Sequence, residues 1–382
     1  MKVFIFTAFD PLPIDTGYEP IRYWYLANAL VASGHSVRLI APSFFHQTKA
    51  QRQPLFSVVN GIEVQLLPVQ GYKYGLSRLK FNKQIGKALG SYFINITDYP
   101  ELFIIANPPV YSASVCLTWC SQNSIISVLD TQDLWPEAFL RKLPKLSHFL
   151  FNTWQKQAQE NLEMASYLSG VSLGYKRAKE RPFRVFPIGI NAAMFKNELI
   201  PVSDRIIILG QNALDNNDGL MQIIINKVDV DIKFEFIGVK MSKFFKKSIQ
   251  KDVADGRISV IDWLSERQLV ARIQHYARLA IILVPSGSHI MLPRRLQMAL
   301  GCGIATITNV NSPEVHQIVG QDGALKYLDA VQMAEWVAEV EQNWYYFNDA
   351  NRQDKAKIYQ ALYSADSIYA NFAKWLETIV SS

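Results

Sequence analysis

Two adjacent arginines, Arg294 and Arg295, stand where a helix is expected to begin. A buried-strand run, Ala280 to Val284, comes before them, Pro293 directly precedes them, and Gly301 marks the predicted helix end. A helix N-terminus carries unpaired backbone N–H groups and partial positive charge, so two guanidinium groups there form a natural site for a diphosphate. The alternative is a surface helix with a solvated arginine pair.

Two carboxylates suited to proton transfer, Asp130 and Asp133, follow the strand run Ile125 to Leu129. A carboxylate beyond the carboxyl end of a parallel strand is placed where ligands bind, and it can take a proton from a hydroxyl. Asp133 is the first candidate for such a base and Asp130 the second. Because Asp130 stands at the strand end itself, its alternative role is to pin the loop.

The loop from Asp10 to Gly17 follows the first strand run, Val3 to Thr7, and is a candidate acceptor or phosphate loop that includes Asp15. Gly17 can bring backbone N–H groups close to a phosphate. The loop has one glycine only, which does not support a dinucleotide-binding fingerprint. A plain turn is the alternative.

Three segments resemble GT-B glycosyltransferases, especially their family 4 group. Pro285-Ser286, Leu292-Pro293, Arg295-Leu296, Ala299-Leu300 and Cys302-Gly303 match the family's donor-site pattern. Val128 to Glu137 resembles the "DxxDLWPE" segment of family 4 enzymes that build bacterial surface polysaccharides, and the first 37 residues resemble the family's opening strand, glycine loop and helix. The resemblance implies an α/β protein with two Rossmann-like domains, whose parallel sheets face a central cleft.

The resemblance also implies a binding site for a nucleotide-sugar donor, without a metal ion or other cofactor. The matching positions are Gly210, Gln211, Gly238, Ser286, His289, Arg294, Arg295, Gln297 and Glu314. Glu314 would lie near the ribose and His289 near the sugar. Fixed cations are useful there because the nucleoside diphosphate leaves with negative charge.

The sequence departs from the family 4 pattern at positions that matter for mechanism. The family's two glutamates, eight residues apart, correspond to Ile290 and Met298, and a common histidine corresponds to Gln132. Arg294 and Gln297 instead resemble the "KxxQ" of the glucuronosyltransferase of xanthan assembly, in which an Asp matching Asp133 is thought to act as base. This partial resemblance favours an inverting, base-catalysed transfer. A catalytically inactive GT-B-fold binding protein and a nucleotide-sugar epimerase are the alternatives.

Length and hydrophobic patterning predict two domains. Apolar runs alternate with amphipathic stretches over 382 residues, a pattern typical of βαβ units and parallel sheets. The boundary is expected at residue 190, and the resemblance to GT-B glycosyltransferases implies an acceptor domain at 1–190, a donor domain at 191–362, and a C-terminal helix, 363–380, that packs back on the first domain.

The positive charge is concentrated in the first half of the chain. Residues 1–190 carry 19 Lys and Arg against 12 Asp and Glu, while the whole chain has a net charge of +6. Ser43 to Lys87 combines seven bases with interleaved aromatics, and no nucleic-acid-binding motif is seen. This composition predicts contact with an anionic membrane rather than with nucleic acid, against the alternative of an ordinary solvated face.

The predicted location is the cytoplasm, at the inner face of the plasma membrane. Three scattered cysteines, Cys116, Cys120 and Cys302, do not suggest a disulfide framework. No apolar run reaches the length of a membrane span, and no signal peptide is expected. Together with the resemblance, these features predict a sugar acceptor that is lipid-linked or a polysaccharide.

Overall fold

The computed structural model has two compact units, and each is an α/β unit built on a parallel sheet. It describes residues 1–73, 77–140, 144, 148–149, 151–178, 180–195, 205–210, 213–214, 217–228, 230–285, 292–318, 325–327, 332, 335 and 349–381. The N-terminal unit comprises residues 1–189 and 365–382, and the C-terminal unit comprises residues 190–364.

The N-terminal unit is organised around a sheet with the strand order β10-β9-β8-β7-β1-β2-β6-β5, in which the β5–β6 pair alone is antiparallel among the described strands. The strands of this unit are β1 Lys2–Phe6, β2 Ser36–Pro42, β3 Phe44–Phe45, β4 Ala50–Gln51, β5 Phe56–Val59, β6 Ile62–Leu67, β7 Leu102–Asn107, β8 Ile126–Thr131, β9 Tyr167–Gly170 and β10 Phe183–Val185. Its helices are α1 Arg22–Ala32, α2 Ser77–Ile94, α3 Val110–Gln122, α4 Glu137–Leu140, α5 Asn152–Met164 and the C-terminal α13 Ala365–Ser381.

The central strand β1 is apolar from Val3 to Phe6. Val3 and Ile5 pack with side chains of α1 and α13, whereas Phe4 and Phe6 pack on the opposite face with side chains of α2 and α3. Successive side chains of a strand point to opposite faces, so helices on both faces require an apolar residue at every position. The C-terminal helix α13 therefore contributes to the core of the N-terminal unit.

The C-terminal unit contains a parallel sheet with the strand order β13-β12-β11-β14-β15-β16 among the residues that the structure describes. Its strands are β11 Arg205–Leu209, β12 Lys233–Ile237, β13 Ile258–Ile261, β14 Ala277–Ile282, β15 Ala305–Thr308 and β16 Leu325–Tyr327. Its helices are α6 Asp218–Lys227, α7 Lys243–Ser248, α8 Gln250–Ala254, α9 Glu266–Tyr276, α10 Arg294–Gly301, α11 Pro313–Ile318 and α12 Asp349–Leu362.

In each unit the strand order reverses beside the first strand. In the C-terminal unit β11 has β12 on one side and β14 on the other, and in the N-terminal unit β1 lies between β2 and β7. In open parallel sheets, ligands bind outside the carboxyl ends of the strands at this reversal. The loops after β11 and β14, and those after β1 and β7, are therefore the places to look for a site.

The start of α9 and the segment from Ser43 to Lys87 show how two local sequence patterns fold. Ser265 caps α9 in a capping box with Gln268, as their spacing predicts. The segment from Ser43 to Lys87, expected to form a single basic surface, instead contributes β5 and β6 to the sheet. Ile62, Val64 and Leu66 of β6 are buried because they face the core of α1 and α13. None of the described helices is long and apolar enough to cross a bilayer.

Candidate functional site

The start of α10 is the centre of the candidate site in the C-terminal unit. Pro293 is the N-cap, with extended backbone, and no described side chain caps the helix. Beyond the first turn, Leu296 and Met298 are buried and hold the helix on the core. The backbone N–H groups of Leu296 and Gln297 donate to the carbonyl oxygen of Pro293, whereas that of Arg295 has no acceptor among the described residues and can meet an anion.

Arg295 is the cation at this helix start that has no partner among the described residues. Its side chain is half-buried, and burial lowers the pKa of its guanidinium, opposed by the negative charge of Glu266. A half-desolvated guanidinium without a carboxylate gains strongly from an incoming anion. The side chain is therefore placed and charged to bind a diphosphate.

Arg294 differs from its neighbour. It forms an ion pair with Glu266 at the start of α9, in which its Nη2 donates to Oε2 at 2.6 Å. Diphosphate binding by both arginines stays a prediction, and the structure shows that Arg294 already has a carboxylate partner. Adjacent residues on a helix point in directions about 100° apart, which allows the two roles to separate.

Gln297, two residues after Arg295 on α10, has an unusual buried side-chain amide. It is only 1 % exposed, and neither Nε2 nor Oε1 has a hydrogen-bond partner among the described residues. An unsatisfied buried polar group costs roughly 1–3 kcal/mol, so such groups call for an explanation. A ligand or water that enters beside α10 would remove this cost.

Two glycines bring neighbouring strand ends close to this helix. Gly238 follows β12 with φ +61°, and a Cβ added there would lie 3.5 Å from Nη2 of Arg295. Gly210 follows β11 with φ +131°, and its added Cβ would lie 3.3 Å from the carbonyl oxygen of Leu283, just after β14. Both conformations favour glycine. The structure therefore brings Gly238 next to Arg295, and Gly210 next to the segment that leads toward α10.

The other donor-site candidates are placed less directly. Glu314 lies half-buried in the first turn of α11. Burial, Tyr359 and the charge of Glu314 together raise the pKa of Tyr363. Contact of Glu314 with a ribose stays a prediction. Gln211, Ser286 and His289 lie outside the described residues.

Asp130 in the N-terminal unit is the centre of a buried ion pair. It is 0 % exposed and accepts hydrogen bonds from Arg22 Nε at 2.6 Å and Nη2 at 2.7 Å, from Tyr23 Oη at 2.8 Å and from Ser169 Oγ at 2.7 Å. Burial opposes its charge, but Arg22 and the hydrogen bonds outweigh burial and lower the pKa of Asp130. With both oxygens engaged and no access to solvent, Asp130 holds α1 on β8, and the expectation that it acts as a base is wrong for this structure.

Asp133 keeps the geometry expected of a base. It lies half-buried just beyond the end of β8. Its Oδ1 accepts from the backbone N–H of Leu134 at 2.8 Å, and its Oδ2 accepts from the indole Nε1 of Trp135 at 2.9 Å. These two bonds fix the carboxylate in one orientation and leave each oxygen a further lone pair.

Asp15 has a structural contact that the sequence did not indicate. It is 7 % exposed and pairs with Arg52, at 2.9 Å from Nε to Oδ1 and 2.5 Å from Nη2 to Oδ2. Its carboxylate also accepts from the backbone N–H of Leu12. Asp15 therefore anchors this loop through Arg52, and a role of the loop in binding an acceptor or phosphate stays a prediction. Gly17 has φ +83° with open space around it, so backbone conformation, not close approach, requires the glycine there.

Asp10 is a third buried carboxylate, and the sequence analysis did not identify it as a site residue. It is 4 % exposed, and burial raises its pKa to about 6, opposed by a backbone hydrogen bond from Tyr23 and by the charge of Arg22. Its position in the loop that follows β1 is the one signal that the sequence offered. Asp10 belongs to the same buried network as Asp130, because the charge of Asp130 also raises the pKa of Asp10.

The basic segment presents part of the predicted surface. Lys80, Lys83 and Lys87 are exposed on α2. Ile85, expected to offer apolar contact to lipid, is fully buried in the core, and Arg52 is buried in its ion pair. The exposed lysines keep the charge but not the apolar face.

No protein-family model matches the chain, and a search of curated proteins found no match. Solved structures do match over its full length. Sucrose-phosphate synthase from Thermosynechococcus elongatus covers 100 % of this chain and 99 % of its own at 14 % identity and TM-score 0.73. The catalytic domain of starch synthase IV from Arabidopsis thaliana, bound to ADP and acarbose, covers 100 % and 99 % at 12 % identity and TM-score 0.65.

HepE from Anabaena, in complex with UDP-glucose, covers 99 % of this chain and 100 % of its own at 11 % identity and TM-score 0.61. These similarities concern the fold, since the identities are low. With the two parallel sheets described above, they confirm the fold predicted from the sequence. The chain is an α/β protein with the two Rossmann-like domains of the GT-B fold.

Proposed function

We propose that this protein is a glycosyltransferase that moves a sugar from a nucleotide-sugar donor to an acceptor hydroxyl. The observation that carries the proposal is the start of α10, where Arg295 and the buried amide of Gln297 have no partner among the described residues and lie on the helix that follows the strand-order reversal. This arrangement suits a diphosphate, the group that a nucleotide-sugar loses on transfer.

The donor is proposed to carry uridine, with adenosine as the alternative. HepE binds UDP-glucose and the starch synthase binds ADP in the structures that this fold resembles. In this chain Arg295 and the N–H groups of α10 would bind the diphosphate, and Gly238 would allow it close approach to the backbone. Glu314 would accept hydrogen bonds from the ribose.

Asp133 is proposed as the base of an inverting transfer. The acceptor oxygen attacks the anomeric carbon, its proton passes to the carboxylate of Asp133, and the bond from the anomeric carbon to the diphosphate oxygen breaks. The leaving diphosphate takes the electron pair, and the cation Arg295 stabilises the charge that develops. The hydrogen bond from Trp135 holds the carboxylate in place.

The acceptor is proposed to be lipid-linked or a polysaccharide, as in the assembly of bacterial surface polysaccharides. The exposed Lys80, Lys83 and Lys87 of α2 support a weak peripheral contact with an anionic inner leaflet. Each base near such a surface contributes about 1 kcal/mol. The resemblance to family 4 enzymes and the partial resemblance to the xanthan glucuronosyltransferase also support this acceptor.

A binding protein without catalysis is the second candidate function. It is favoured by Met298, which stands where family 4 enzymes have a glutamate and is buried in the core. Such a protein would bind a diphosphate but would transfer no sugar, with or without Asp133.

Calorimetric titration with UDP, GDP, ADP and dTDP tests the donor site. We expect one of these ligands to bind the full chain and Arg295→Ala to weaken its affinity at least tenfold, or about 1.4 kcal/mol. Lys247→Ala, which removes an exposed cation of α7, is the matched control and should bind normally. Binding by none of the four, or equal affinity in Arg295→Ala, would exclude the proposed donor site.

A further inference from the structure

A second cation without a carboxylate lies in the N-terminal unit, near the carboxyl ends of its strands. The guanidinium carbon of Arg78, in the first turn of α2, is 5.1 Å from the ring centre of Phe9 and 5.0 Å from that of Trp135. Among the described residues Arg78 forms no ion pair, and its buried Nε has no acceptor. Two aromatic rings thus fix a guanidinium whose hydrogen-bonding capacity is not used.

The imidazole of His46 adjoins this cation and is also incompletely paired. Its ring centre is 5.1 Å from that of Phe9, and its buried Nδ1 has no partner among the described residues. Burial, then the charges of Arg78, Lys49 and Arg52, lower the pKa of His46 to about 4. Positive charge therefore converges on this point. Of these three cations, Arg52 is neutralised by Asp15.

This cluster is linked directly to the proposed base. One indole, that of Trp135, contacts Arg78 with its ring and donates from Nε1 to Asp133. A cavity of about 500 Å³, lined in part by Tyr72, Ser77 and Phe81, adjoins the start of α2. This cavity lies on the same helix as Arg78, although Arg78 itself does not line it.

We propose that Arg78 and His46 bind an anionic phosphate group of the acceptor while the acceptor hydroxyl lies at Asp133. The part of the proposal that concerns Asp133 rests on the proposed function. A phosphate offers several oxygens to the Arg78 guanidinium, to one N–H of His46 and to the Lys49 ammonium, which a neutral sugar does not. The acceptor would then be recognised by its phosphate and not by its sugar alone.

Calorimetry on the full chain tests this site without donor or transfer. The probes are inorganic phosphate, octyl phosphate below its aggregation threshold, and uncharged octyl glucoside. We expect octyl phosphate to bind, Arg78→Gln to weaken its affinity at least tenfold, and octyl glucoside not to bind. Lys374→Gln removes an exposed charge of α13 in the same unit and should keep affinity within twofold.

The comparison of probes identifies the source of the phosphate. Tighter binding of octyl phosphate than of inorganic phosphate indicates a lipid phosphate, and equal affinities indicate that the phosphate alone is read; both support the site. If Arg78→Gln does not fold, as judged by circular dichroism, Arg78→Lys takes its place. Lysine keeps the positive charge but lacks the planar pair of N–H donors with which a guanidinium binds two phosphate oxygens. The proposal is overturned if neither phosphate binds, or if the Arg78 variant binds as the unmodified chain does.

The outcome is distinguishable from that of the proposed function. A chain that binds octyl phosphate through Arg78 but no nucleoside diphosphate keeps this anion site and loses the proposed transferase function. A chain that binds a nucleoside diphosphate but neither phosphate probe keeps the proposed donor site and loses this one.

Discussion

Asp130→Asn is the substitution that separates structure from catalysis most clearly in the N-terminal unit. The carboxylate is fully buried and accepts hydrogen bonds from Arg22, Tyr23 and Ser169. Asparagine keeps the size but removes the charge and presents an NH₂ group to these donors, which leaves the buried guanidinium uncompensated. Breaking a buried ion pair from one side costs about 3–5 kcal/mol.

This loss is a large part of the roughly 5–15 kcal/mol that holds a protein folded. With a urea dependence of about 2–3 kcal/mol per molar, the unfolding midpoint should fall by about 1–2 M. The stabilisation by the Asp130 ion pair requires the ionised form of Asp130. Because its folded pKa is lowered, the stabilisation is present above the ordinary carboxyl pKa near 4 and is lost as the pH falls through the lower folded value.

Urea unfolding followed by tryptophan fluorescence provides the measurement, and Asp133→Asn provides the matched control. Asp133 is half-buried and has no ion-pair partner among the described residues, so its variant should unfold within about 1 kcal/mol of the unmodified chain. A normal midpoint for Asp130→Asn, together with loss of transfer, would refute the structural role and identify Asp130 as the base.

Three further predictions follow from contacts in the two units. Burial raises the pKa of Asp10 from 3.8 to about 6. The contribution of protonated Asp10 to the free energy of unfolding should therefore be fully present below about pH 4 and should fall by about 3 kcal/mol as the pH rises to 6 and above. The urea midpoint of Asp10→Asn should lack this fall. Arg294→Ala should lower the thermal stability, because it removes the ion-pair partner of Glu266. In calorimetry this variant should lose less nucleotide affinity than Arg295→Ala does. Equal losses of affinity would contradict the different roles of the two arginines. Exposed lysines of α2 should bind anionic vesicles weakly in sedimentation assays, less as salt rises, and equal binding to neutral vesicles would contradict an electrostatic contact.

The fold could largely be predicted from local sequence patterns. The apolar runs that became β1, β7 and β14 are buried on both faces, and such runs are recognisable without knowledge of their partners. Strand β6 was missed because its alternating pattern lies inside a basic, aromatic segment whose charges dominated the interpretation. The strand order depends on pairing between distant segments, which no local pattern contains.

The candidate site could be predicted by place but not by role. The spacing identified the start of α10, yet only the structure shows that Glu266 pairs with Arg294, while Arg295 has no partner among the residues that the structure describes. Partners that are far apart in sequence explain the other corrections: Arg22 meets Asp130, and Arg52 meets Asp15. An isolated sequence shows the charges but not which of them already have partners.

Hydrogen exchange measured with and without UDP tests the proposed donor site, because it reports both whether a nucleoside diphosphate binds and where. We expect slower exchange in the first turn of α10, from Arg294 to Gln297, and at Gly238, with no such change in Arg295→Ala. Unchanged exchange with UDP and with GDP, ADP or dTDP at saturating concentration, or protection confined to the N-terminal unit, would contradict it.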